Sequence, residues 1–166
     1  MHLPPATFSP CRSYRYTLSR EVAPLFGAGI LMVIGLNPST ADETANDPTI
    51  RRCMRFAEDW GLRHYLMCNL FAFRATDPDD MKAHPSPIGP DNDTSILSSA
   101  RAARESRGII LCAWGTHGDH MDRAAYVTRL LTNRRHRLHC LGTNADHSPK
   151  HPLYIPANTQ PEPYTT

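Results

Sequence analysis

Side chains able to orient a water, read a polar ring or hold an anion fall in four short stretches of this 166-residue chain. The first is Gly35-Leu36-Asn37-Pro38-Ser39-Thr40-Ala41-Asp42 with Asn46-Asp47-Pro48-Thr49, which crowds Asn37, Ser39, Asp42 and Asp47 into one loop. The second supplies Asn69 and Arg74. The third adds His117, Asp119 and His120, and the fourth Asn144, His147, Lys150 and His151. A carboxamide carries a donor and an acceptor side by side, so Asn69 can read the edge of a heterocycle. Arg74 and Lys150 suit a phosphate. Two explanations compete for the first loop. Short polar residues satisfy their own backbone at turns and caps, or they hold a water and a polar ring.

Other chemistries fit less well. His117-x-x-His120 with Asp119 or Asp122 has metal-ligand spacing only on a helix, and Gly118 argues for a turn, so no metal is expected. Ser39 lacks the strand–G-x-S-x-G–helix elbow of a serine nucleophile. Each histidine on its own is also explained as a surface or capping residue. Five cysteines without a C-x-x-C pair give neither a disulfide framework nor a zinc knuckle.

The elements that must position these residues follow from apolar pattern. Ile30-Leu31-Met32-Val33-Ile34 is a continuous apolar run, as in a strand buried on both faces. Asp47 and Pro48 start a helix whose inner face is Ile50, Cys53, Met54, Ala57 and Trp60. Arg51 and Arg52 sit in its first turn, where the helix dipole disfavours cations. A nearby anion accounts for them, as does pairing with Asp42, Glu43 or Asp47. Further strands are expected at 65–73, at 108–114 and, weaker, at 136–141. A helix capped by Asp91 or Asp93 should run to about Ser106, and another should follow His120. Asn69 interrupts the second strand, where an amide is costly unless its hydrogen bonds are met. The reading is a three-layer α/β/α domain over 13–155, with a four-stranded, mainly parallel sheet. A short edge strand lies near Tyr14–Leu18, and residues 1–12 and 156–166 are irregular tails. Right-handed crossovers would gather the four polar loops on one edge.

Composition sets outer bounds. Net charge is only +2, so no overall basic field points to nucleic acid. Lys82 and Lys150 are the only lysines beside many arginines. No apolar run approaches the length of a membrane span, and no signal peptide is seen at Met1–Pro5. A cytoplasmic protein without a cofactor is expected.

The ordered set of motifs resembles a bacterial and phage family catalogued as domain of unknown function 1643. It comprises the first loop, Asn69-Leu70-Phe71-Ala72-Phe73-Arg74-Ala75-Thr76, Gly89-Pro90-Asp91-Asn92-Asp93, Ala113-Trp114-Gly115 and His151-Pro152-Leu153-Tyr154. More distantly, the layout is similar to the uracil-DNA glycosylase superfamily, with Gly35-Leu36-Asn37-Pro38 closest to its mismatch-specific branch. That resemblance implies an enzyme binding a nucleobase or nucleotide and hydrolysing an N-glycosidic bond. Catalytic roles would fall to Asn37, Asp42 and His151: Asn37 orients the water, and His151 stabilises the departing base. Asn69 would bind the base edge, with Ser39, Asp47, Arg74, Arg51 and Lys150 as further substrate contacts. Ser39 stands where that superfamily has Gly or Tyr. No intercalating wedge is evident in Leu153-Tyr154-Ile155-Pro156, so a free nucleotide, a modified base or RNA remains open beside DNA. Two alternatives stay in play: a nucleotide- or RNA-binding protein of base modification with different chemistry, and a binding module without catalysis.

Overall fold

β3 (Ile30–Gly35) is buried at every residue. Its alternate side chains feed two separate apolar clusters. Leu31 and Val33 pack with Ile50, Cys53, Phe56 and Ala57. Ile30, Met32 and Ile34 pack with Ile96, Ala100, Ala103, Val127 and Leu131 on the opposite face. A strand sandwiched in this way needs the unbroken apolar run that the sequence has there.

The computed structural model describes residues 3–22, 25, 27–39 and 44–165. Around β3 the chain folds as β1 (Ala6–Phe8), β2 (Arg15–Glu21), α1 (Pro48–Asp59), β4 (His64–Asn69), α2 (Pro78–Ala83) and α3 (Asn92–Glu105). β5 (Ile109–Cys112), α4 (Arg123–Thr132), β6 (Leu138–Cys140) and β7 (Glu162–Pro163) complete it. Among the described residues the fold is α/β, with four α-helices and a mixed seven-stranded sheet in the order β1-β2-β4-β3-β5-β6-β7. Parallel pairing is confined to β4-β3, β3-β5 and β5-β6. β2 joins β4, β1 joins β2 and β7 joins β6 antiparallel.

This corrects the expected four-stranded, mainly parallel sheet. The strand near Tyr14 is not the edge, because β1 pairs outside it. Both segments read as irregular tails contribute a strand, and Tyr164 buries its ring 5.7 Å from Trp114 in edge-to-face contact. Short strands beside proline carry too few residues to show a period of two. Their pairing is decided by the neighbouring strand. The long 77–93 loop also contains α2, capped by Asp77, whose side chain accepts from the Asp79 amide at 2.8 Å. Among the described residues no helix is long and apolar enough to cross a membrane.

α1 begins as its sequence dictates. Asp47 accepts from the Ile50 amide at 2.8 Å, and Pro48 occupies a first position that needs no N–H donor. β3 is followed by α1 and β4 on one side and is flanked by β5 on the other, so strand order reverses beside it. A crevice at the carboxyl ends of β3 and β5 is the consequence.

Replacing Tyr164 by alanine should cost about 3 kcal/mol of folding free energy, as for a buried aromatic. Urea denaturation followed by tryptophan fluorescence checks this. A change within the error of the measurement would mean that the C-terminal segment does not belong to the core.

Candidate functional site: a cleft at the carboxyl ends of β3 and β5

The crevice is a cleft of about 670 Å³, within the range of about 300–1,000 Å³ common for small-molecule sites. Four loops wall it. Gly35, Asn37 and Ser39 come from the end of β3, Asp47 and Thr49 from the start of α1, and Ala75 and Thr76 from the segment after β4. Trp114, Gly115 and His117 follow β5, and Asn144, Lys150 and His151 come from the last loop.

The loops are tied to one another by hydrogen bonds. Asn37 Nδ2 donates to the carbonyls of Ala75 (2.8 Å) and Pro38 (3.2 Å). Both amide hydrogens are thereby committed, and only Oδ1 is left to accept from a water or ligand. The amide of Gly115 donates to the Pro149 carbonyl at 3.0 Å, which joins the third loop to the fourth. Gly115 holds φ of 70°, a left-handed conformation suited to glycine. Arg52 donates to the Ile155 carbonyl and stacks over the Phe56 ring, so α1 pins the chain just after His151.

Asn69 ends β4 and is 1% exposed. Neither Oδ1 nor Nδ2 meets a partner among the described residues. It does not form part of the cleft wall itself. It lies behind Gly35 and Met67, which do: a Cβ built on Gly35 would sit 2.8 Å from Asn69 Oδ1 and 2.6 Å from Met67 Cε. Glycine is required here by close approach, since any side chain would displace Met67 or the amide. Met67 is in turn touched by the Tyr65 hydroxyl, 3.0 Å from its sulfur.

The backbone at Asn69 is braced from the opposite face of the sheet. Asn92 Nδ2 donates to the carbonyls of Asn69 (3.0 Å) and Leu70 (2.9 Å). Arg123 Nε donates to Leu70 at 2.8 Å and pairs with Asp93. Asp93 also accepts from the Tyr126 hydroxyl at 3.0 Å. Asp93 therefore serves as an anchor for Arg123, and Asp91 takes the N-cap position of α3 without a side-chain cap.

His151 faces solvent at the mouth of the cleft. Partial desolvation by the neighbouring cleft wall lowers its pKa from the usual 6.5, an effect that Asp47 partly opposes. That shift favours the neutral imidazole. The Leu153 amide donates to Nδ1 at 3.4 Å, so the single ring proton belongs on Nε2, a donor. On the third loop, Lys82 Nζ stands 3.0 Å from His117 Nδ1. An ammonium can only donate, which puts the neutral ring's proton on Nε2 there too.

The expected residues divide. Asn37, Ser39, Asp47, Lys150 and His151 line one cleft, and Asn69 lies directly behind its wall. Arg74 does not line it: its guanidinium sits 5.1 Å from the Phe8 ring and donates to the Arg12 carbonyl. Arg51 does not either, since it turns to the Asn46 carbonyl beside Met54 and Arg55. Arg51 and Arg52 both bond carbonyls, a use of first-turn cations that charge pairing does not suggest. Asp42 lies outside the described residues, as does Glu43. His120 leaves the site, its ring 5.5 Å from Phe71. Among the described residues no group of three or more metal-binding side chains converges.

Three contributors escaped sequence reasoning. Arg15 is 1% exposed yet lines the cleft. The β1–β2 register shifts between Thr7 and Phe8, and such a bulge re-aims the strand's side chains, so simple alternation misplaces Arg15. Burial lowers its pKa, against the opposing influence of Tyr65 and Asp47. Asn92 and Arg123 act from behind the sheet, where no pattern in the chain marks them as partners of β4.

Residues 15–153 match a family described as a protein of unknown function (DUF1643), and the chain belongs to that family. No curated protein and no solved structure matches it.

The His151 state is testable by NMR. Its ring resonances should titrate with a midpoint below 6.5. His64 and His136 are lowered by burial as well. Between each folded-state midpoint and 6.5 the unfolded chain binds more protons, so stability should rise with pH through that window and fall on acidification. A midpoint for His151 above 6.5 would contradict the neutral-donor assignment.

Proposed function

We propose that the cleft binds a nucleobase, free or within a nucleotide or nucleic acid, and that the protein hydrolyses its N-glycosidic bond. The observation that carries this reading is the Asn69 carboxamide, buried behind the cleft wall with donor and acceptor both unspent. Its complement is a planar edge with one acceptor and one donor, which a nucleobase has. Met67, a flexible thioether over Gly35, is the side chain that turns aside to admit that edge.

The parallel strands β4-β3-β5-β6, with helices on both faces, are read as the three-layer α/β/α arrangement similar to uracil-DNA glycosylases. The roles follow from the atoms left available. Asn37 Oδ1 accepts from a water and holds its lone pair toward the sugar carbon. Water oxygen bonds to that carbon as the carbon–nitrogen bond breaks, the bonding pair leaves with the base, and the proton the water sheds ends on the departing base nitrogen. His151 Nε2–H donates to the base as this negative charge develops, the moment at which a fixed donor contributes most. Lys150 stands where a phosphate of the substrate can be met. Tyr154, 85% exposed at the cleft mouth, offers a ring for stacking on a neighbouring base.

The alternative of nucleotide binding with other chemistry is favoured by one feature, the Lys82–His117 contact on the far wall. A cation holding an imidazole as a donor is useful to reactions other than base release.

Incubation with DNA carrying uracil, hypoxanthine or a thymine mismatch, and with free nucleotides, separates these readings by released base. Release is expected from at least one of them. It should fall about 100-fold in His151→Ala, the cost of losing one donor to a developing anion, and be abolished in Asn37→Ala. Saturable nucleotide binding without any released base would overturn hydrolysis and leave the second reading. Absence of both binding and release would overturn the nucleobase assignment itself.

A further inference from the structure

At the other end of the parallel strands, where β5 and β6 begin, lies a second concavity of about 400 Å³. Arg104, Arg135, His136, Arg137 and His139 surround it, over the backbone of residues 108–110, and none of its described lining residues is acidic. Arg107 and Arg134 adjoin lining residues in the chain, Arg129 lies in the last turn of α4, and all three are exposed.

Helix-end capping explains part of this cluster. Arg104 donates to the Arg134 carbonyl at 3.3 Å, and Arg134 to Leu130 at 3.0 Å. Both are at helix C-termini, where cations are favoured. Arg101 pairs with Glu105 at 2.7 Å. Arg107, Arg129, Arg135 and Arg137 are not explained in this way: among the described residues their side chains meet no carboxylate or carbonyl. Arg107 and Arg135 also hold φ of 58° and 60°, a left-handed conformation that glycine would adopt at lower cost. A second observation points to a ligand. His136 is 8% exposed and its Nδ1 is buried without a partner, as is Nδ1 of His139. Both rings line the concavity.

We propose that this face binds the phosphodiester backbone of a nucleic acid, separately from the cleft. Arg104, Arg135 and Arg137 line the concavity from two segments, the end of α3 and the turn into β6. Spread over two segments, with Arg107 and Arg134 next to lining residues in the chain, they suit a row of phosphates better than a single one. Guanidinium groups meet phosphate oxygens in pairs. The two imidazoles supply inner contacts to the phosphate that lies over the concavity. A net charge of +2 on the whole chain conceals this local excess.

The test is fluorescence anisotropy of a labelled single-stranded oligonucleotide across a salt series, with the full chain. Affinity should fall linearly with salt on logarithmic axes. Arg135→Glu with Arg137→Glu should weaken binding at least about tenfold and lower that slope by about 1.4, two phosphate contacts' worth. Arg135→Ala with Arg137→Ala should move both quantities the same way, and unchanged thermal melting establishes that both variants fold. Arg55→Glu, at an exposed arginine of α1 outside both concavities, should bind as the parent does. The proposal is overturned if the parent fails to bind at low salt, or if the charge-reversed variant binds as tightly. An equal loss in Arg55→Glu would mean that overall charge, and not this face, holds the strand, which overturns the proposal too. Full displacement by inorganic pyrophosphate at matched phosphate concentration would make this a small-anion site instead.

Discussion

A carboxamide shut away from water with its hydrogen bonds unmade costs on the order of 1–3 kcal/mol per polar group. Asn69 is in that position, at the end of β4 and behind the cleft wall. The surrounding chain is arranged to keep it there. Gly35 has no side chain to displace it, and Met67 shares the space beside it. Asn92 and Arg123 hold the carbonyls of Asn69 and Leu70 from the other face of the sheet. Asp93 and Tyr126 hold Arg123 in turn. A structural amide would be expected to spend its own donor and acceptor within such a network. Here Asn92 Nδ2 and Arg123 Nε are spent on carbonyls while neither end of the Asn69 carboxamide meets a partner among the described residues, and the proposed ligand role rests on that contrast.

The walls of the cleft are held together by the chain's own hydrogen bonds. Asn37 bridges the first loop to the second, Gly115 joins the third to the fourth, and Arg52 fastens the stretch after His151 to α1. Each link is a donor meeting a backbone carbonyl. Pre-organisation of this kind lowers the ordering cost of binding. It also fixes proton positions: the committed Nδ2 of Asn37 leaves an acceptor, and the Leu153 amide leaves His151 with a donor.

Much of this arrangement is legible in the sequence, for identifiable reasons. The apolar run 30–34 reads as a strand because both faces are buried. Asp47-Pro48 reads as a helix start because cap and proline chemistry are local. Once strands and crossovers are placed, Asn37, Ser39, Asp47, Lys150 and His151 follow to one rim, as residues at strand ends must. The misreadings share a different cause. β1 and β7 are too short and too near proline to show alternation. Arg15 is re-aimed by a register shift, a property of two strands together. Charge points Arg74 and Arg51 toward a substrate, yet their guanidinium groups turn to the carbonyls of Arg12 and Asn46. Asn92 and Arg123 lie far from β4 in sequence, so nothing local marks their role.

The most direct test of the central claim is the side-chain amide resonance of Asn69, assigned by comparison with Asn69→Ala and followed during titration with uridine and inosine monophosphates. The account predicts a saturable shift of both Asn69 NH₂ signals with at least one nucleotide, and loss of that nucleotide's binding in the variant. Saturation elsewhere on the protein with those signals unmoved would contradict it.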